Sequence, residues 1–402
     1  MRIGIYGGTF NPPHLGHIIS ARFAMEYLKL DRLLFIPAAE PPHKNVPEGS
    51  PTAEQRLEMT AMAADSLLLP GKVETSDMEL RRGGTSYTAD TLRQLHGEYP
   101  DAELWLLMGT DMFLTLQNWR EPEVICSLAG LAAFARTQSD TGEMLEIQGR
   151  YLSEKFGAKI RTVQLPQVTP VSSTQLREQL VKGMGRQYLS PAVYGYILRH
   201  GLYGTHADLK HLSDGDLRAC SLSMVYAKRH AHILGVEKTA VELAKRWGAD
   251  PEAARRAGIL HDCTKYLPLE EHLAICAQAG IELDELEAQS AKLLHSKTGA
   301  ALARMVYGES DAVYWAVYWH TTGRADMTLL EKIVYLADYM EPNRDFDGVT
   351  ELRRLCETDL DAALQLGLEM SVADLTERGV PIHKNTQGAL DWVREHRKGP
   401  QP

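Results

Sequence analysis

GGTFNPPHLGH, Gly7 to His17, follows the apolar run Arg2–Tyr6 and leads into a helical pattern at Ile18–Lys29. This is a strand, a glycine turn and a helix. The glycines let backbone amides come close to a ligand, and Pro12 and Pro13 stiffen the loop. His14 and His17 stand three apart, at the end of the loop and in the first helical turn. Imidazoles placed there, beside the unpaired amides of a helix N-terminus, suit an anionic phosphate group. The spacing is neither GxGxxG nor GxxxxGK[ST], so the common dinucleotide and P-loop readings fail. The plain alternative is a turn with two incidental histidines. An HxGH unit set directly behind a first strand weighs against it.

Outward from this turn, short apolar runs alternate with amphipathic segments up to about residue 203. The runs are Arg2–Tyr6, Leu33–Pro37, Glu103–Met108, Leu131–Ala135 and Lys159–Leu165; helical patterns include Ala53–Leu67, Thr88–Glu98 and Ser173–Val181. Short buried strands alternating with helices predict a parallel sheet covered on both faces, a doubly wound α/β domain of Rossmann-like type. Beyond residue 203 the strand signal stops. GTHADLKHLSD, 204–214, is polar without an apolar stripe and reads as a linker. Helical patterns then follow, from Leu217–Leu234 to Asp359–Glu377, so residues 215–396 read as an all-α domain. Residues 397–402 read as a flexible tail. Two domains agree with 402 residues at roughly 100–200 residues per domain.

The loop and its surroundings resemble the HxGH nucleotidyltransferase superfamily. A second matching element is SSTQLR, Ser172 to Arg177, in which Ser173 reads as a helix N-cap and Arg177 lies one turn inside; Val171 stands where the superfamily has isoleucine. PPHK (Pro41 to Lys44), TSYTADTL (Thr85 to Leu92) and LLMGTDMF (Leu106 to Phe113), with Trp119 close behind, narrow the resemblance to the bacterial nicotinate-mononucleotide adenylyltransferases over about residues 1–203. The resemblance implies that His14, His17, Ser172, Ser173, Thr174 and Arg177 hold ATP. It implies that Thr85, Ser86, Tyr87, Thr88 and Trp119 hold the pyridine nucleotide, that Asp111 meets the adenosine and that Lys44 meets the phosphates. Gly7, Gly8, Thr9, Phe10, Gly109 and Arg136 are also expected against substrate. The nucleotide phosphate is already an anion, so adenylyl transfer needs positioning and charge stabilisation rather than a general base. His17 is expected on the α-phosphate, His14 on the leaving phosphates, with Arg177, Lys44 and Mg²⁺ neutralising charge. Phosphopantetheine is the alternative acceptor; the TSYT segment favours the pyridine nucleotide.

In the second half, His261-Asp262 ends a helical pattern in GILHDCTK. His232 and Arg229 are expected on the apolar stripe of the Leu217–Leu234 pattern, and Asp338 on that of LLEKIVYLA. A buried carboxylate without a cation is costly. His295 and His320 end two further apolar segments. This order resembles HD-domain phosphohydrolases, and HILGVEKTAVELAKRWGAD, LLHSKTGA, WHTTGR and YLADYMEPNRDFDGV resemble the bacterial HD hydrolases that split diadenosine tetraphosphate symmetrically into two ADP. The resemblance implies two metals, one on His232, His261, Asp262 and Asp338, the other on Asp262 as bridge with His295 and His320. Mixed imidazole and carboxylate donors suit iron, manganese or zinc better than calcium, with iron the expected ion. Lys265 is expected on phosphoryl oxygens, and Arg324 and Arg344 on outer phosphates. His230 is expected on another face and Cys263 as a bystander. The open alternatives are hydrolysis of another nucleotide (a mononucleotide, cyclic nucleotide or alarmone) and a regulatory module without turnover.

The formal net charge of -10 argues against a nucleic-acid partner, which needs a basic face. Five dispersed cysteines without a CxxC pair read as free thiols in a reducing compartment. No signal peptide and no membrane span are legible, so the expected location is the cytoplasm. The expected partners are small molecules: ATP, nicotinate mononucleotide and diadenosine tetraphosphate. A homo-oligomer is left open.

Overall fold

The computed structural model describes residues 1–42, 47, 49–134, 142–163, 165 and 171–397. The chain divides into two compact units, Met1–His206 and Ala207–Pro402.

In the first unit six parallel strands lie in the order β3-β2-β1-β4-β5-β6. They are β1 (Arg2–Gly8), β2 (Arg32–Pro37), β3 (Val73–Thr75), β4 (Glu103–Gly109), β5 (Ala129–Phe134) and β6 (Ile160–Val163). β1, β2, β4 and β5 are largely apolar and buried because both faces are covered. Ile3, Ile5, Leu34 and Leu106 enter one core, and Tyr6, Leu33, Phe35 and Leu107 the other. Trp105 is buried, and fits because a Cβ on Gly130 would meet its ring at 2.8 Å. The sequence reading missed β3. VET is a three-residue edge strand, two of whose side chains are polar, and it carries no apolar run.

Strand order reverses between β1 and β4, which are paired in parallel with Ile3 opposite Leu104. Ligands of open α/β sheets bind outside the carboxyl ends of strands at such a switch point. The Gly7–His17 loop leaves the end of β1 and Gly109 ends β4, so both candidate segments meet there.

The second unit is helical among the described residues. One expectation fails. The continuous helix over Leu217–Leu234 is instead Asp214–Leu222, a turn at Ala227–Arg229 and a new helix His230–Trp247. Ser223 ends the first helix, its Oγ donating to Cys220 O at 2.6 Å, and Tyr226 is extended at ψ 148°. Serine bonding its own backbone competes with helix continuation. His232 therefore sits in the first turn of a new helix, and Tyr226 is 57% exposed. The segment read as a linker also carries structure: Leu209–His211 forms a 3₁₀ turn, Leu212 is buried, and Asp214 opens a helix and pairs with Arg255 and Arg256. Of the expected tail, only Arg397 lies within the described residues. No helix of the described residues is long and apolar enough to cross a membrane.

Candidate active sites

His14 is the N-cap of the helix Leu15–Tyr27, and it caps with its ring. Its Nδ1 accepts from Gly16 N at 3.1 Å, and its own backbone N donates to His17 Nδ1 at 3.1 Å. This is a capping box built from two histidines, a role that Ser or Thr and Glu usually take. It has a chemical consequence that the sequence did not reveal. Both Nδ1 atoms are acceptors, so in the neutral rings both protons reside on Nε2. Each buried imidazole is thereby set as an Nε2–H donor, the form that a phosphate oxygen accepts. The ring centroids are 3.9 Å apart.

A cavity of about 390 Å³ opens at the ends of β1 and β4. Its wall unites Gly7, Gly8, Thr9, Phe10 and His17 with Ser86, Tyr87, Thr88, Gly109, Asp111, Trp119, Ser172, Ser173, Thr174 and Arg177. Thr85 stands off the wall, in an isolated bridge with Glu40. Lys44 and Arg136 lie outside the described residues. The N-cap of the Ser173–Leu180 helix is Ser172, not Ser173: its Oγ accepts from Gln175 N at 3.2 Å. Ser173 instead donates to Pro12 O at 3.1 Å, and Arg177 Nη1 donates to Asn11 O at 2.8 Å. Two elements more than 160 residues apart are thus tied across the loop. Arg56 is 2% exposed and braces the same loop, donating to Thr9 O at 2.9 Å and Ala39 O at 3.0 Å.

Sequence reading missed two polar residues of this wall. Glu79 is buried and accepts from Thr91 Oγ1 at 2.6 Å; burial pushes its carboxyl above the usual range. Arg120 lies over the Tyr87 ring at 4.4 Å. Position beside Trp119 was the one available hint for Arg120; Glu79 carries no motif.

In the second unit the structure gathers His232, His261, Asp262, His295, His320 and Asp338. Two triads share Asp262: His232 with His261, and His295 with His320. His261 follows the helix Pro251–Leu260, His295 lies in Ala291–Met305, His320 follows Asp311–Trp319, and Asp338 lies in Leu329–Met340. All four histidines and Asp262 are buried. His261, His295 and His320 each place Nδ1 2.7 Å from a backbone carbonyl three residues back, of Gly258, Lys292 and Val317. A carbonyl only accepts, so Nδ1 carries the proton and Nε2 is left with its lone pair. Yet His232 and His261 bring their Nε2 atoms to 3.1 Å, and so do His295 and His320. Paired lone pairs at that distance repel unless a cation lies between them. Two ligands at right angles on bonds of about 2.1 Å stand about 3 Å apart.

The carboxylates complete the donor set. Asp262 Oδ1 lies 3.1 Å from His295 Nε2, 3.3 Å from Lys265 Nζ and 3.7 Å from His320 Nε2, yet it is buried without a well-directed hydrogen bond. Asp338 Oδ1 is 3.0 Å from His232 Nε2. Burial alone would raise Asp262, but the surrounding imidazoles and Lys265 hold it well below the usual carboxylate range. Burial lowers His261 to about 3 and His295 to about 4, so both rings remain neutral donors at neutral pH. Buried lone pairs aimed at one another, with one Asp262 oxygen facing each pair, fit two divalent cations.

The neighbours differ from expectation in part. Lys265 Nζ is 3.0 Å from His295 Nε2. Arg344 donates to Asp338 Oδ1 at 2.9 Å, at the edge of the centre. Arg324 is taken up by the buried Glu331, at 3.0 and 3.1 Å. Arg229 donates through Nε to Asp262 Oδ2 at 2.6 Å. His230 turns to Leu222 O at 3.0 Å, away from the ligand set as expected. The residue that sequence reading missed is Glu341, 1% exposed. Its Oε1 meets His232 Nδ1 at 3.1 Å, and its Oε2 accepts from Asn343 N at 2.7 Å and Nδ2 at 2.8 Å. Glu341 does for His232 what carbonyls do for the other three rings. Gly235 makes room for it: a Cβ there would collide with Glu341 Oε2. Carboxylates behind ligating histidines typically contribute 10–100-fold in metal affinity. Glu341→Ala is expected to weaken metal retention by roughly that factor and Glu341→Gln by less, as read by chelator competition on the purified chain.

A further cluster, Asp284, Glu287 and His383, works in the opposite sense. His383 Nδ1 accepts from Asn385 N at 3.2 Å, so Nε2 bears the proton and donates to Asp284 at 3.0 Å. Lys297 and Lys384 neutralise the carboxylates. This cluster is satisfied within itself.

Comparison with known proteins divides the chain at the same place. The Cytidylyltransferase-like family matches residues 5–179 and the HD domain matches residues 229–343. The chain is 36% identical over 203 residues to the probable nicotinate-nucleotide adenylyltransferase of Lachnoclostridium phytofermentans, covering 50% of this chain and 98% of that protein. It is 39% identical over 176 residues to the symmetrical bis(5'-nucleosyl)-tetraphosphatase of Bacillus subtilis, covering 44% of this chain and 94% of that protein. A Clostridium acetobutylicum crystal structure, described as a predicted HD superfamily hydrolase involved in NAD metabolism, is 39% identical and covers 46% of this chain and 99% of that one, with a TM-score of 0.45. The chain is accordingly a fusion, whose first half belongs to the nicotinate-nucleotide adenylyltransferase family and whose second half belongs to the HD-domain family of symmetrical bis(5'-nucleosyl)-tetraphosphatases.

Proposed function

We propose that the first half transfers AMP from ATP to nicotinate mononucleotide, giving nicotinate adenine dinucleotide and pyrophosphate, and that the second half hydrolyses diadenosine tetraphosphate to two ADP. The observation that carries the first activity is the histidine capping box, of which His17 lines the switch-point cavity and His14 stands behind it off the wall. Two Nε2–H donors held by backbone contacts need no reorganisation as charge builds on phosphate. His17 meets the α-phosphate and His14 the leaving phosphates. Arg177, fixed by Asn11 O, meets the polyphosphate beside the first turn of the Ser173–Leu180 helix, with Mg²⁺ accompanying ATP. Ser86, Tyr87, Thr88 and Trp119 take the pyridine nucleotide, and Asp111 the adenosine. Lys44 and Arg136 are kept as phosphate and substrate contacts.

The observation that carries the second activity is the opposed pairs of imidazole lone pairs around Asp262. His232, His261, Asp262 and Asp338 hold one cation, and Asp262, His295 and His320 the other; iron is the proposed ion. Bound there, the two cations supply charge neutralisation and an acidified water. Lys265 holds a phosphoryl oxygen. Arg229 holds Asp262 in place, and Arg344, on Asp338 at the edge of the centre, is proposed to meet an outer phosphate; Arg324 is already engaged by Glu331. The proposed setting is the cytoplasm, with small-molecule substrates and no nucleic-acid partner. Chromatography of products tests both halves. Nicotinate mononucleotide with ATP should give the dinucleotide and pyrophosphate, and diadenosine tetraphosphate should give ADP alone. AMP with ATP as the products of the second reaction would contradict symmetrical cleavage.

A further inference from the structure

Two tyrosines near the second centre have no part in the chemistry above. Tyr226 is 57% exposed and Tyr266 39%. They come from different segments, yet their rings meet edge to face with centroids 4.7 Å apart. The Lys228 ammonium lies 5.7 Å from one centroid and 5.6 Å from the other. Aromatic rings are among the strongest contributors to burial, so a matched pair left half in water is a surface that still has contact area to offer.

The pair is anchored to Asp262 from two directions. Arg229 N donates to Tyr226 O at 2.8 Å, closing a turn whose Arg229 guanidinium reaches Asp262 Oδ2. Tyr266 directly follows Lys265, whose backbone N donates to Asp262 O at 2.9 Å and whose Nζ is 3.3 Å from Asp262 Oδ1. Each of two short segments thus carries a cation that touches the shared carboxylate and, one to three residues away in the chain, a tyrosine that stays exposed.

We infer that Tyr226, Tyr266 and Lys228 form a nucleobase subsite, in which a purine ring of the dinucleotide packs on the tyrosine pair while Lys228 meets the adjoining ribose phosphate. The inference rests on the proposed hydrolase reading of this centre and specifies how that centre recognises a nucleoside rather than a bare polyphosphate. A stacking platform contacts the π-face that every base presents and reads no hydrogen-bonding edge. The guanine dinucleotide should therefore be accepted nearly as well as the adenine one.

The test uses the full chain loaded with divalent metal. The double variant Tyr226→Leu/Tyr266→Leu should raise KM for diadenosine tetraphosphate about tenfold, within the span of base–aromatic stacking. It should weaken ADP binding by a similar factor in calorimetry. Inorganic pyrophosphate affinity and metal per chain should stay at wild-type values. The pair Tyr226→Phe/Tyr266→Phe, which keeps the ring faces, should restore affinity for ADP. Unchanged KM and ADP affinity in the leucine variant would overturn the subsite. So would equal losses for ADP and pyrophosphate, or a phenylalanine pair as weak as the leucine pair. If the wild type does not split the dinucleotide, the hydrolase reading falls, while the contrast between ADP and pyrophosphate still decides the subsite.

Discussion

Asp262→Asn is expected to lower hydrolysis of diadenosine tetraphosphate by at least about 10²–10³-fold and to leave adenylyl transfer at the wild-type rate. Asp262 is fully buried and is shared by both histidine triads. Its two oxygens serve different sides: Oδ1 faces His295, His320 and Lys265, and Oδ2 faces Arg229 and His261. An amide keeps the shape and removes the charge, so metal content should fall together with activity. Asp262→Ala goes further, because it strands the Arg229 guanidinium beside a cavity; removing one partner of a buried ion pair costs about 3–5 kcal/mol. The asparagine variant therefore separates chemistry from folding. Metal analysis, product chromatography and thermal denaturation on one preparation decide the matter. Metal at wild-type stoichiometry with hydrolysis intact would sink the assignment of Asp262 as a bridge.

His17→Ala is expected to lower adenylyl transfer about 10²–10³-fold, the usual loss for one pre-set donor to developing charge, with hydrolysis of the tetraphosphate unaffected. Two effects combine. The Nε2–H of His17 disappears from the cavity wall, and His14 N loses the ring nitrogen that it donates to at 3.1 Å. His17→Asn partly repairs the cap, since a side-chain amide oxygen can accept from a backbone N–H, so it should recover stability but little rate. Pyrophosphate release with nicotinate mononucleotide and ATP reads the first effect and thermal denaturation the second. A loss in rate below about fivefold would show that phosphate charge is met elsewhere, since one lost donor is worth far more than that.

Much of both centres was legible because their parts are local motifs. HxGH behind a strand, SSTQLR and the HD pair each occupy a few consecutive residues, and the apolar runs of β1, β2, β4 and β5 carry their own signal. What escaped lacks local pattern. The edge strand Val73–Thr75 has no apolar run. The break after Leu222 depends on how Ser223 turns to Cys220 O, which competes with a continuous helical pattern. Ser172 and Ser173 are adjacent serines, and only the fold shows that Ser172 caps while Ser173 donates to Pro12 O. Glu341 stands 109 residues from the ring it orients.

The order of apolar runs by itself determined two units of different class, an α/β sheet and a helical bundle, because periodicity reports which faces are buried. The family resemblance also named which imidazoles and carboxylates gather in the second unit, and a buried imidazole or carboxylate requires a partner. Only the tertiary structure decided the protonation of those rings. Backbone amides leave the proton on Nε2 in His14 and His17, whereas backbone carbonyls leave the lone pair on Nε2 in His261, His295 and His320. The same side chain is thus set with an Nε2–H in one half and an Nε2 lone pair in the other, because which partner meets Nδ1 is a matter of packing that no stretch of sequence encodes.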